Sequence, residues 1–331
     1  MKIALLSLPT LLVGLLVSSV LLLQDPEDTA QQENPKPNVV FILADDLGYG
    51  DLGFLGQPYI ETPNIDRMAR EGMFFTNHYS GAPVCAPSRS ALITGLHTGH
   101  TPVRGNFEVQ PEGQYPMPDT LQTLSKIFQQ AGYATGAFGK WGLGFVGTSG
   151  DPSNQGFEQF YGYNCQRYAH RYYPAYLWEN QTKVNLPGND WTTKVTYAPD
   201  LIQEKTLAFI EKNQKNPFFL FMPIVMPHAE LAAPDDAIFQ KYRSKFGEEK
   251  AHIAPKGGDY GPDMLIPGFQ SSDHPRATFA AMVERTDRYV GEGHLWVRPC
   301  CLDTPSIIPP VHCGREQKRA NRCEPIARKY Q

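Results

Sequence analysis

Hydrophobic residues fall into short blocks along this chain, and their spacing alternates between two periods. Residues 38–44 (NVVFILA) form a continuous apolar, β-branched run, the pattern of a strand buried on both faces. Residues 217–225 repeat that pattern, and 133–138 and 73–76 are shorter runs of the same kind. Between them, apolar residues recur at helical spacing. Residues 63–71 predict a short helix, with Thr62 as its cap, Pro63 in its first turn and Gly72 after it. Helices are also predicted over 88–94, 119–131, 200–213 and 276–290. Strands alternating with helices predict an α/β fold, a mostly parallel sheet flanked by helices. In such sheets a ligand site lies beyond the carboxyl ends of the strands.

The chain has 331 residues, 41% hydrophobic and 11% aromatic, enough to bury a sizeable core. Its formal net charge of -4 argues against a nucleic-acid binder. Residues 1–23 combine one lysine with an apolar stretch and read as a secretory signal, with an uncleaved anchor as the alternative. Export to a periplasmic or extracellular space follows from either, and membrane contact only through that segment. Residues 24–36 are polar and read as a linker. Four of the six cysteines lie beyond residue 299, so the body carries no disulfide framework. Cys300, Cys301, Cys313 and Cys323 lack the paired spacing of a zinc site.

The first strand runs into Asp45 and Asp46. Two adjacent carboxylates at a strand end suit a hard divalent cation such as Ca²⁺, and without one they repel each other. They also suit a solvated turn. The glycines that follow, Gly48, Gly50 and Gly53, spell a dinucleotide fingerprint, but the carboxylates would repel a pyrophosphate and no good helix follows. Further on, Cys85-Ala86-Pro87-Ser88-Arg89 sets a cysteine at the start of a short helix, where backbone amides favour negative charge. On composition alone, a buried structural cysteine is the other reading.

That turn resembles the C-x-P-S-R signature of type I sulfatases, in the alkaline phosphatase superfamily. Its surroundings are similar too: PNVVFILADDLGYGD at 37–51, TPNIDRMAREGMFFTNHY at 62–79, GYATGAFGKWGLG at 132–144 and PFFLFMPIVMPHAEL at 217–231. The resemblance runs over residues 37–292, in order. It implies an alkaline-phosphatase-like fold and hydrolysis of sulfate esters, those of a sulfated carbohydrate above all. It implies that a separate formylglycine-generating enzyme oxidises Cys85 to formylglycine, whose hydrate attacks sulfur. By the same resemblance Asp45, Asp46 and residue 85 would hold Ca²⁺. Arg89 and Lys140 would offset charge on the nucleophile and the sulfate, and His228 would contact the substrate. A phosphodiester or phosphonate monoester hydrolase of the same superfamily is the neighbouring reading. A non-catalytic remnant is the reading from another class.

Two departures stand out. Many sulfatases read G-K-W-H-L-G where this chain has Gly142 in place of the histidine, which puts the proton donor in question. His100 and His170 are the candidates to take its place. His170 sits in an aromatic segment with Tyr161, Tyr163, Tyr168, Tyr172, Tyr173, Tyr176 and Trp178. With Arg167 or Arg171 that segment suits either a sugar groove or a core-covering loop. The second departure begins at Gly293. The text there turns basic and proline-rich and lacks the family's Asp-Asn-Gly turn. The expectation is a sulfatase fold over 37–292, incomplete at its C-terminus, with an atypical tail outside it.

Overall fold

The computed structural model describes residues 36–254, 266, 268–300 and 311–313, and for 294–300 and 311–313 the backbone alone. The predicted signal or anchor, the linker up to residue 35 and most of the tail lie outside these residues. Among the described residues no helix is long and apolar enough to cross a membrane.

Seven strands form one sheet. They are β1 (Val39–Asp45), β2 (Ala134–Lys140), β3 (Gln159–Tyr163), β4 (Tyr176–Glu179), β5 (Thr182–Asn185), β6 (Phe218–Pro227) and β7 (Val311–Cys313), in the order β5-β4-β3-β2-β6-β1-β7. All pairings from β3 to β7 are parallel, and β4 and β5 close one side as an antiparallel hairpin. This is the mostly parallel α/β sheet that the alternation of periods predicts. β7 comes from the segment beyond Gly293 and lies parallel to β1 on the side away from β6.

The helices are α1 (Pro63–Glu71), α2 (Cys85–Thr94), α3 (Leu124–Gln130), α4 (Gln166–Ala169), α5 (Ala198–Asn213), α6 (Ala237–Phe246) and α7 (Pro275–Cys300). They cover both faces of the sheet. Val40, Ile42 and Ala44 of β1 pack with Leu220 and Met222 of β6, Ile65 of α1, Phe209 of α5 and Ala280 of α7. Leu43, Phe219 and Phe221 face the other way, against Ala86 and Ile93 of α2. Every residue of β6 is buried, which explains its unbroken apolar sequence. Each such Phe, Met or Leu contributes about 1.5–3 kcal/mol relative to exposure.

Three local predictions are corrected or refined. Residues 73–76 are not a strand: none of the described strands pairs with them, and Met73 and Phe75 are exposed. A short apolar run becomes a strand only where a sheet accepts it. The helix predicted over 88–94 begins three residues earlier, at Cys85. Pro87 stands in its first turn, where no backbone N–H is needed for an intrahelical bond. Finally, Thr62 is the N-cap residue of α1, as predicted, but its side chain makes no capping hydrogen bond. Its hydroxyl accepts from the Gly53 N–H and donates to Asp66, both at 2.8 Å. The capping acceptor is Asp287 of α7, whose carboxylate accepts from the backbone N–H groups of Asn64 and Ile65 at 3.2 and 2.7 Å.

Candidate active site

The site forms where β1 and β6 part. They run in register from Val39 to Ala44, then the register breaks and Asp45 lies opposite Pro227. Such an irregularity splays strand ends and re-aims the side chains there. Asp46 follows with φ of 59°, a left-handed conformation that Asp tolerates better than most residues. Asp45 is fully buried, while Asp46 is part-exposed.

Cys85 is the first residue of α2 and is buried, so its side chain sits at the positive end of that helix. The neighbouring amide of Ala86 donates to Asn106 Oδ1 at 2.9 Å, which ties a distant loop to this end. One turn on, Arg89 donates from Nη1 to the Lys140 carbonyl at 2.5 Å, and its Nη2 lies 3.3 Å from Asp45 Oδ2. Lys140 ends β2 and is fully buried. Its Nζ donates to Asp45 Oδ2 at 2.6 Å and to Cys85 Sγ at 3.5 Å. Burial alone would push the Lys140 amine down, but Asp45 and Cys85 outweigh it and hold the pKa above its usual value.

His228 follows β6. Its Nδ1–H donates to the Ala229 carbonyl at 2.5 Å, and Nε2 lies 3.4 Å from Asp46 Oδ2. Burial and Lys140 oppose its charged form. Asp45, a hydrogen bond with Cys85 and Asp46 together win, so its pKa is raised. Burial pushes the Asp46 carboxyl up to about 6, with His228 pulling down and Asp45 adding to the rise. His170 completes the cluster from the end of α4. Its ring stacks on that of His228, with centroids 4.1 Å apart, and its Nε2 lies 3.3 Å from Lys140 Nζ.

The ligand atoms of Asp45, Cys85 and His228 lie within 4.8 Å of one another. Among the described residues Asp45 Oδ1 is buried without a hydrogen-bond partner, although its Oδ2 is doubly engaged. A buried, unsatisfied carboxylate oxygen beside a second carboxylate fits a bound cation.

All six residues singled out in the sequence, Asp45, Asp46, Cys85, Arg89, Lys140 and His228, are joined by these contacts. Of the two substitute histidines, His170 lies among them. His100 is exposed, with its ring 6.4 Å from that of His97. The aromatic segment covers the core: Tyr161, Tyr163, Tyr168 and Tyr172 are buried, and so are Arg167 and Arg171. Sequence reasoning missed how the space at Gly142 is used. Gly142 has φ of 74°, and a Cβ there would stand 2.3 Å from Gln166 Cγ. Gln166 fills the room that a side chain at 142 would take, and its Nε2 donates to the Gly142 carbonyl at 3.2 Å. Nothing in the local text around Gln166 announces this.

Known proteins resemble this chain over the stretch that holds these residues. The sulfatase family model matches residues 37–292. Human N-acetylgalactosamine-6-sulfatase is 32% identical over 244 residues, covering 66% of this chain and 44% of the relative. An arylsulfatase of Hemicentrotus pulcherrimus is 37% identical over 251 residues, covering 69% of this chain and 43% of the relative. This chain therefore spans less than half the length of these curated relatives. Among solved structures, Ps i-CgsB superposes with a TM-score of 0.63 at 28% identity, covering 82% of this chain and 57% of that one. The match takes in the strand ends and the helix start that carry the cluster, and the chain belongs to the sulfatase family.

Proposed function

We propose that this chain carries the nucleophile and sulfate-binding residues of a sulfuric ester hydrolase acting on sulfated carbohydrate. One observation carries the reading: Lys140 and His228 meet residue 85, and Lys140 and Arg89 hold one oxygen of the buried Asp45 carboxylate, whose other oxygen has no hydrogen-bond partner among the described residues. The relatives' names support the substrate class. One is an N-acetylgalactosamine-6-sulfatase, and Ps i-CgsB has been solved in complex with k-i-k-neocarrahexaose.

When residue 85 is converted to hydrated formylglycine it supplies an oxygen nucleophile, and a divalent cation held by Asp45, Asp46 and residue 85 supplies positive charge beside it. The chain's own groups do the rest. The α2 amides and the Lys140 ammonium favour negative charge at position 85. Arg89 is anchored on the Lys140 carbonyl and on Asp45, so its charge cannot swing away. His228 turns Nε2 toward Asp46 with a side chain only 13% exposed, and Asp45, Cys85 and Asp46 favour its charged form against burial and Lys140. It is placed to donate to a sulfate oxygen or to the departing alcohol.

The test is to produce the full chain together with a formylglycine-generating enzyme and to assay sulfate release from sulfated hexosamines and sulfated galactan oligosaccharides. Mass spectrometry should find a carbonyl at residue 85. Cys85→Ala should abolish release, and Lys140→Ala should lower it by about 10²–10³-fold. A thiol that persists at residue 85, or preferential turnover of an aryl phosphonate, overturns the reading. The cation has a separate readout. Ca²⁺ at about ten times its Kd should add about 1.4 kcal/mol and raise Tm by about 3 °C, and Asp45→Asn with Asp46→Asn should remove the rise.

A further inference from the structure

Lys140 carries three N–H donors and no acceptor. Three groups lie around its Nζ: Asp45 Oδ2 at 2.6 Å, His170 Nε2 at 3.3 Å and Cys85 Sγ at 3.5 Å. Three donors meet three partners. Because the ammonium can only give hydrogen bonds, His170 Nε2 must accept one. Its lone pair faces the lysine, and its ring proton sits on Nδ1.

We propose that His170 is a positioning residue for Lys140, resting on the sulfatase reading of this site. Asp45 and His170 between them take two of the lysine's hydrogens, which leaves the third directed at residue 85. A lysine head is a free rotor on a four-carbon stem, and two fixed acceptors remove that freedom before substrate arrives. The acceptor is itself held. The His170 ring lies on His228 at 4.1 Å with 17° between planes, and Phe269 approaches within 5.8 Å. Its carbonyl accepts from Arg171 Nη1 at 3.2 Å and from the Glu230 amide at 3.4 Å. This role differs from that of a proton donor standing in for the side chain absent at Gly142. The nitrogen turned toward the reacting centre carries no proton to give.

Two measurements decide it. The full chain labelled with ¹⁵N-histidine should show His170, identified by loss of its signals in His170→Gln, with Nδ1 protonated and Nε2 bare at neutral pH. Those signals should move in Lys140→Met. A protonated Nε2 overturns the proposal. In turnover, His170→Gln keeps a neutral acceptor and should stay within about threefold of the parent, whereas His170→Phe keeps the ring but no acceptor and should lose tenfold to about a hundredfold in kcat. Equal losses in the two variants also overturn it. If the parent itself fails to form formylglycine or to turn over, the fault lies with the proposed function, and the nitrogen spectra still decide the role of His170.

Discussion

Gly142 and Gln166 show how one residue's character is set by another's bulk. Gly142→Ala should cost about 1–3 kcal/mol, from the left-handed φ and from the clash with Gln166. Adding Gln166→Ala should return part of that loss, so the two substitutions should be non-additive in Tm; additivity would mean that they do not share the space. Asp51 offers a titration instead. Burial pushes its carboxyl up to about 6, against the pull of the Gly48 N–H that it accepts at 2.7 Å. Between its unfolded value near 4 and about 6 the native state therefore binds more protons, and stability falls as pH rises through that window. Asp51→Asn keeps an acceptor for Gly48 and removes the titration. From pH 4 to 7 the parent should lose about 1–3 kcal/mol more than this variant, measured by urea unfolding. At this scale, the gathering of residues that stand at a strand or helix end was legible: Asp45, Asp46, Cys85, Arg89, Lys140 and His228. The acceptor role proposed for His170 was not, because it depends on which ring nitrogen meets Lys140, and no sequence spacing encodes that.

At the scale of elements, tertiary partners overrule local signals in both directions. The long apolar runs of β1 and β6 were readable because strands buried on both faces need no alternation. The short run at 73–76 carried the same signal without a sheet to accept it. Among the described residues, α1 takes its capping carboxylate from α7. Asp287 is 1% exposed and also accepts from Asn64 Nδ2 at 2.8 Å. Asp287→Ala would strand the buried Ile65 N–H and should cost about 2 kcal/mol, with faster amide exchange concentrated in α1. An unchanged exchange rate there would show that Thr62 or water can cap the helix instead. The hairpin of β4 and β5 escaped notice for a related reason. Thr182, Lys183 and Asn185 are exposed, so that strand has no buried alternation to read.

For the whole molecule, the alternation of strand and helix gave the architecture, and the parallel order placed the site beyond the strands' carboxyl ends, where Asp45, Lys140 and His228 meet. The segment between α1 and α2 has a further consequence. Met73, Phe75 and Tyr79 are 78%, 58% and 65% exposed, and none of them lies in a helix or strand. Phe75 and Tyr79 are natural targets for chymotrypsin, which needs an accessible aromatic residue on a backbone that can enter its cleft. Brief digestion should cleave within 73–79 before it cleaves in α5 or β6. The nicked protein should still elute as one species, because β1 upstream of the cut stays hydrogen-bonded to β6 downstream of it. Only denaturant should then part the strand bearing Asp45 from the helix bearing residue 85. Asp45 and Cys85 would then lie on two polypeptides joined by noncovalent contacts alone, the β1–β6 pairing, the Asp287 cap on α1 and Lys140 on Asp45 among them.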